Sequence, residues 1–258
     1  MIEKILILSS EHQPYRRAGQ LAALTVANAP IEDMLEFLYA FHFNDYSTAA
    51  LCEKLDAIGF SLNFREQLER GLAPPMLSQY LMELIALQKI IAEKKNTLFL
   101  YDDYYFNCQY GQLESELLKL SSVGGDADIV AVSCNGLPDP SKKHRVLTAV
   151  KRVEGIDFFS SGCPLNVGGA YFYTPRGAQR VLDQIASDGE FAGMDYIIPY
   201  QMHGVPGIYC VLENYRYLRG VQELNGDSVC YLLGHPVHKK HFQWIEKYKL
   251  MPFGGRDD

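Results

Sequence analysis

The sequence lacks the marks of several function classes. No segment approaches the ~20 consecutive apolar residues that a membrane helix needs. The opening MIEKILILSS holds an apolar stretch too short for a signal-peptide core, and no small-residue cleavage site follows it. The expectation is a soluble, cytoplasmic protein with no integral membrane contact. None of the six cysteines, Cys52, Cys108, Cys134, Cys163, Cys210 and Cys230, forms C-x-x-C or a zinc-like cluster with histidine, so reduced thiols are expected. Neither G-x-G-x-x-G nor a P-loop follows the first apolar run, which excludes the common Rossmann and Walker modes of nucleotide binding. No G-x-S-x-G elbow is present, which argues against an α/β hydrolase. Positive charge is in deficit: 24 Lys+Arg against 31 Asp+Glu give a net charge of -7. Such a balance opposes unspecific adhesion to nucleic acid or anionic membrane. Repeats and low-complexity tracts are missing as well.

What is present is ordinary for a globular protein. The 258 residues, 48% hydrophobic and 21% charged, suffice for a sizeable core. KILILSS reads as a buried first strand, and AGQLAALTVANA as a helix behind an Arg-bearing loop. IEDMLEFLYAFHF is ambiguous between helix and strand. STAALCEKLDAIGF reads as a helix capped by Ser47 or Thr48 and stopped at Gly59. The clearest helix lies in residues 64–96, with Pro74 and Pro75 suited to a helix start and Lys94 and Lys95 at its end. TLFLYDD and DIVAVSCNG read as strands, ESELLKLSSV as a helix, and residues 137–169 as a long polar loop. AYFYT, PRGAQRVLDQIAS and IYCVL read as strand, helix and strand. Strands alternating with helices predict an α/β fold: one domain over 1–258, with a mixed, mostly parallel sheet flanked by helices.

The informative stretch is NTLFLYDDYYFN, where an apolar strand runs into Asp102 and Asp103. In open α/β sheets ligands bind beyond the carboxyl ends of the strands. Adjacent carboxylates there are tolerated when a hard divalent cation neutralises them, commonly in company with substrate phosphates. The plainer alternative is that the two acids cap a following helix or turn.

LFLYDDYYF resembles the strand and acidic motif of the lipooligosaccharide and collagen galactosyltransferase group, usually a hydrophobic run followed by Glu-Asp-Asp. GLAPPMLSQYLMELIAL is similar to the helix start that precedes the acids in that group. GGAYFYTPRGAQRVLDQI followed by GMDYIIPYQM is similar to a later block with a lone Asp. KILILSSEHQPYRRAGQL corresponds loosely to the first strand and its arginine loop. These short blocks keep their order over roughly residues 1 to 205. Tyr101 stands where the group usually has Glu, and Gln79 where it has His.

The resemblance implies a GT-A-like (Rossmann-like) domain. Residues 1-110 would form its nucleotide-sugar-binding half, 111-230 its acceptor half and 231-258 a basic carboxy-terminal segment. It implies a UDP-sugar donor and Mn²⁺ or Mg²⁺. By position, Asp103 contacts the metal, and Asp102 the ribose or the metal. Ser9, Ser10 and Arg16 line the base and ribose pocket. Gly168 and Gly169 let the backbone approach the donor sugar, with a plain turn as the alternative. Asp195 is the general base on the acceptor hydroxyl, or else a helix N-cap. Late in the chain, GHPVHKKHFQW offers His235 or His238 to the metal and Lys239 to the diphosphate; a solvated basic helix is the alternative. The acceptor is a glycan or, in a second reading, a hydroxymethylated base in DNA. Arg145, Lys151, Arg152 and the basic tail would then meet phosphates. A third reading is a domain that binds nucleotide-sugar, or a partner, without turnover.

Overall fold

The computed structural model describes residues 1–12, 14–39, 41–42, 45–60, 74–106, 108–122, 127–135, 149–153, 156–160, 166–167, 169–188, 193–194, 197–198, 202, 205–211 and 218–220. Strand β1 (Lys4–Ser9) leads into helix α1 (Pro14–Val26), a single turn α2 (Ile31–Met34) and strand β2 (Leu35–Tyr39). Thus the ambiguous IEDMLEFLY is both helix and strand in succession. Helix α3 (Thr48–Ala57) follows; the Ser47 side chain accepts from the Ala50 amide, and Gly59 ends the helix with φ of 86°. Helix α4 (Pro74–Glu93) and strands β3 (Thr97–Tyr101) and β4 (Tyr104–Phe106) come next, then helix α5 (Tyr110–Ser122). The single strand expected at DIVAVSCNG is two, β5 (Ile129–Ala131) and β6 (Cys134–Asn135). The expected long loop holds β7 (Ala149–Val153), β8 (Ile156–Ser160) and β9 (Asn166–Val167). Strand β10 (Ala170–Tyr173), helix α6 (Pro175–Asp188), β11 (Ile208–Val211) and β12 (Leu218–Gly220) complete the described elements.

The main sheet has eight strands in the order β2-β1-β3-β10-β5-β11-β8-β7. β2, β1, β3, β5, β11 and β7 run one way; β10 and β8 run the other. The α/β class with a mixed, mostly parallel sheet is therefore as the sequence predicts. β10, from the later half of the chain, is inserted between β3 and β5, so both halves share one sheet.

Helices cover both faces, and the strand sequences show why. Side chains alternate across a strand. Leu6, Leu8, Phe99, Ile129, Ala131, Tyr171 and Tyr173 pack under α3, α4 and α6. Their neighbours Ile5, Ile7, Leu98, Leu100, Val130, Val132, Ala170 and Phe172 pack under α1 and α5. A strand buried on both sides reads as a continuous apolar run, which is what KILIL and TLFLY are. Helix α4 is apolar over most of its circumference, with Leu77, Leu81, Leu84, Leu87 and Ile90 all buried. Among the described residues no helix is long and apolar enough to cross a membrane.

The thiols of Cys52 and Cys108 are in no disulfide.

Candidate functional site

The strand order contains a switch point. From β1 the chain crosses outward to β2 and then back to β3 on the other side of β1. The connections leave the β1/β3 pair in opposite directions, and such a switch point opens a cleft at the carboxyl ends. Ser9 and Ser10 close β1 there, and Asp102 and Asp103 turn the chain after β3.

All four are buried; Asp102 and Asp103 are only 5% and 3% exposed. The Asp102 amide donates to the Leu8 carbonyl at 3.0 Å, extending the β1/β3 ladder by one bond. The Asp102 side chain then reaches across the switch point. Its Oδ2 accepts from the Ser9 hydroxyl at 2.8 Å, and its Oδ1 from Arg16 Nη1 at 2.6 Å. Arg16, in the first turn of α1, is itself 3% exposed. Burial works to lower its pKa, but the negative charges of Asp102 and then Asp103 outweigh it and hold the guanidinium above its ordinary value. The side chain of Asp102 is thus a long-range anchor, not the helix or turn cap that was the plainer alternative. Arg17 beside it donates to the Ser10 carbonyl at 2.6 Å and lies over the Tyr39 ring at 5.2 Å.

This corner holds more buried polar atoms than its own bonds satisfy. Arg16 Nη2, Gln20 Oε1 and the Tyr105 hydroxyl have no hydrogen-bond partner among the described residues. Arg16 and Gln20 are four apart on α1, hence on one face of the helix. Tyr105 feels the same charges: burial first, then Asp102 and Asp103, push its hydroxyl pKa up against the opposing pull of Arg16. Buried polar groups are rarely left unpaired, and such a cluster is where a polar ligand or water belongs.

Tyr101, immediately before the acids, faces the other way. Its hydroxyl donates to Glu83 Oε1 on α4. Gln79 Nε2 donates to the same oxygen at 2.9 Å and to the Tyr101 hydroxyl at 3.2 Å. The other Glu83 oxygen accepts from the Met194 amide at 3.1 Å. Glu83, fully buried, therefore joins the residue preceding Asp102 to the residue preceding Asp195. The Tyr101 ring also occupies the space over Gly169, where an added Cβ would lie 1.6 Å from Tyr101 Cδ2. Sequence reasoning passed over Glu83, although a lone acid inside the apolar LMELIAL was its signal.

Of the residues expected at the site, Ser9, Ser10, Arg16, Asp102 and Asp103 come together. Gly169 stands one bond away, its carbonyl accepting from the Tyr101 amide at 2.8 Å. Gly168, Asp195, His235, His238 and Lys239 lie outside the described residues, as does Arg145. Lys151 and Arg152 belong to β7, the edge strand at the far end of the sheet from β2.

No family model matches the chain, and no curated protein matches it. Several solved structures share a likeness of shape, two of them as follows. Mouse xyloside xylosyltransferase 1 in its apo form is 12% identical with a TM-score of 0.41, covering 81% of this chain and 84% of that one. Mannose-1-phosphate geranyltransferase from Thermus thermophilus is 12% identical with a TM-score of 0.36, covering 84% of this chain and 76% of that one. Neither likeness bears on activity.

Proposed function

We propose that this protein is a glycosyltransferase that moves a sugar from a UDP-sugar to a hydroxyl of a saccharide or glycan. The observation that carries this reading is the burial of Asp102 and Asp103 at the β1/β3 switch point, one arginine facing two acids. Asp102, Asp103 and Arg16 sum to a single negative charge, which suits a site that takes up a cation. The donor atoms are carboxylate oxygens, the preference of Mg²⁺ and Mn²⁺. The ion is assigned to Asp103 by its position as the second acid after β3, with Asp102 holding Ser9 and Arg16 in place. An ion bound there supplies positive charge against a departing diphosphate.

The chain's own groups do the rest. Arg16 Nη2 and the Tyr105 hydroxyl donate to phosphate or hydroxyl oxygens of the sugar donor, and Gln20 Oε1 accepts from one of its hydroxyls, which ends their lack of partners among the described residues. Burial keeps water from competing for them. In this reading Gly168 flanks the sugar, whereas Gly169 does not, because the Tyr101 ring fills the space over it; Asp195 takes the proton of the attacking hydroxyl, and His235 or His238 and Lys239 complete the ion and diphosphate contacts.

The test is thermal unfolding with a panel of nucleotide-sugars, each with and without Mn²⁺, followed by assay of free UDP. A UDP-sugar with Mn²⁺ is expected to raise Tm by mass action. Asp103→Asn is expected to abolish that shift and to slow UDP release about 100-fold or more, the usual cost of losing a charge-stabilising group. A shift without any UDP release would instead mean a binding domain without turnover. No shift with any nucleotide would end the transferase reading.

A further inference from the structure

Three side chains outside the acid pair converge on one point. His12 lies in the turn after β1, His42 just after β2, and Asp45 two residues ahead of the α3 cap Ser47. One ligand atom from each lies within 4.8 Å of the other two. His12 Nε2 is 2.6 Å from Asp45 Oδ2, and the imidazole rings of His12 and His42 lie 4.3 Å apart, centre to centre, tilted by 48°. His42 is buried, at 6% exposure, while His12 and Asp45 face solvent. Two segments distant in sequence, the turn after β1 and the stretch between β2 and α3, thus present two nitrogens and one oxygen to a common centre that solvent can reach.

We propose that His12, His42 and Asp45 form a second cation site, for a transition-metal ion of the zinc class, that clasps the β1–α1 turn to the segment after β2. The donor set decides the ion. Imidazole nitrogen favours Zn²⁺, Co²⁺ or Ni²⁺, whereas Mg²⁺ and Mn²⁺ favour oxygen ligands such as Asp103. Bonds of about 2.0–2.2 Å in a tetrahedron set ligand atoms about 3.3 Å apart. The His12–Asp45 pair must open slightly and the third ligand close in, movements within reach of side-chain rotation. Two ligands at the surface give the ion its route in, and the buried His42 fixes the centre. Three protein ligands leave a fourth position for water. The clasp sits beside the switch point, since Ser10, whose hydroxyl accepts from the His12 amide at 3.2 Å, adjoins Ser9.

The site is distinct from the acid pair, so its test needs no sugar-nucleotide. Chelator-stripped protein is titrated with Co²⁺, whose visible spectrum reports the ligands, and the Co²⁺ is then displaced by Zn²⁺. One equivalent is expected, with bands of nitrogen and oxygen coordination and no sulfur-to-metal charge transfer. Zn²⁺ is expected to raise the Tm of the wild type. His12→Gln and Asp45→Asn, both at solvent-facing positions, should each weaken binding at least about tenfold, since losing a residue that merely orients a ligand already costs about 10–100-fold, and remove the Tm shift. Asp103→Asn should leave Co²⁺ affinity unchanged. Absence of a bound equivalent, thiolate bands, affinity that survives both surface variants, or affinity lost with Asp103 would each overturn the proposal.

Discussion

The two ends of the central strands both gather charge, and they use it differently. At the amino edge Lys4 meets Glu36 at 2.6 Å and also Glu93, and Lys89 bridges the same two acids at 3.1 and 2.8 Å. Nearby, Asp128 at the start of β5 accepts from Arg176 Nε and Arg180 Nη1, both at 2.7 Å, and from the Thr174 hydroxyl at 3.1 Å. Charges there balance or favour the cations, and the side chains of Arg176 and Arg180 are 58% and 27% exposed. These pairs fasten helices α4 and α6 to the sheet. At the carboxyl edge one arginine serves two aspartates, all three are out of solvent, and neighbouring polar atoms lack partners among the described residues. Burying an ion pair carries a desolvation cost that its own attraction often fails to offset. An arrangement that is costly, negative and incompletely bonded is suited to a ligand, whereas the amino edge is suited to holding the fold.

Mutation can break that comparison. After the loss of activity in Asp103→Asn, the largest effect expected is on folding. Arg16→Met strands Asp102 in the interior and should cost about 3–5 kcal/mol. Arg180→Ala should cost about 1 kcal/mol or less, because its buried partner Asp128 keeps Arg176 and Thr174 and the Arg180 side chain is partly in solvent. Urea unfolding of both variants measures the contrast. Adding Asp102→Asn to Arg16→Met should recover part of the stability without recovering the UDP-sugar shift. Equal costs at the two edges would remove the distinction on which the site assignment stands.

Two glycines sharpen it further. A Cβ on Gly177, in the first turn of α6, would meet the Asp128 carbonyl oxygen at 2.1 Å, and that atom belongs to the backbone. At Gly169 the obstacle is the Tyr101 ring, a side chain able to swing away once its hydroxyl leaves Glu83. Both alanine substitutions should destabilise by about 1–3 kcal/mol, as overpacking does, with Gly177→Ala the more severe. Tyr101→Ala should relieve Gly169→Ala in a double-mutant cycle and do nothing for Gly177→Ala. If the cycle shows no coupling, the ring does not lie where this packing puts it.

How much of this was legible in the sequence follows from the range of the forces involved. β1 and β3 were readable because burial on both faces leaves an unbroken aliphatic run. The site's acids were readable because a charge pair ending such a run is conspicuous. β7 was missed because AVKRV, an edge strand, mixes apolar and basic residues and reads as polar loop. The break between β5 and β6 falls inside DIVAVSCN, where nothing local marks it. Arg16 was placed near the site, but its bond to Asp102 spans 86 positions, and pattern reading does not see such a pair. The joint role of Gln79, Tyr101 and Glu83 was hidden for the same reason, as was the convergence of His12, His42 and Asp45.

The smallest expected effect concerns acid stability and belongs to the amino edge. Burial works to raise the pKa of Glu36 and of Glu93, but hydrogen bonds from Lys4 and Lys89 outweigh it and hold both below the ordinary glutamate range. A carboxyl whose pKa is depressed by folding contributes its full stabilisation above the unfolded value of about 4.3 and loses it as pH falls through the lower folded value. Lys89→Met deletes contacts to both acids, yet Lys89 and its partners are partly in solvent, so the loss should be about 0.5 kcal/mol. The difference between wild type and variant should stay constant from pH 7 to about 5 and narrow below about 4.3 as the acids protonate. Urea midpoints measured across that range give the curve. A difference that persists unchanged at the acid end would mean that Lys89 acts through the packing of its stem and not through its charge, and the amino edge would then owe less to ion pairing than the comparison assigns it.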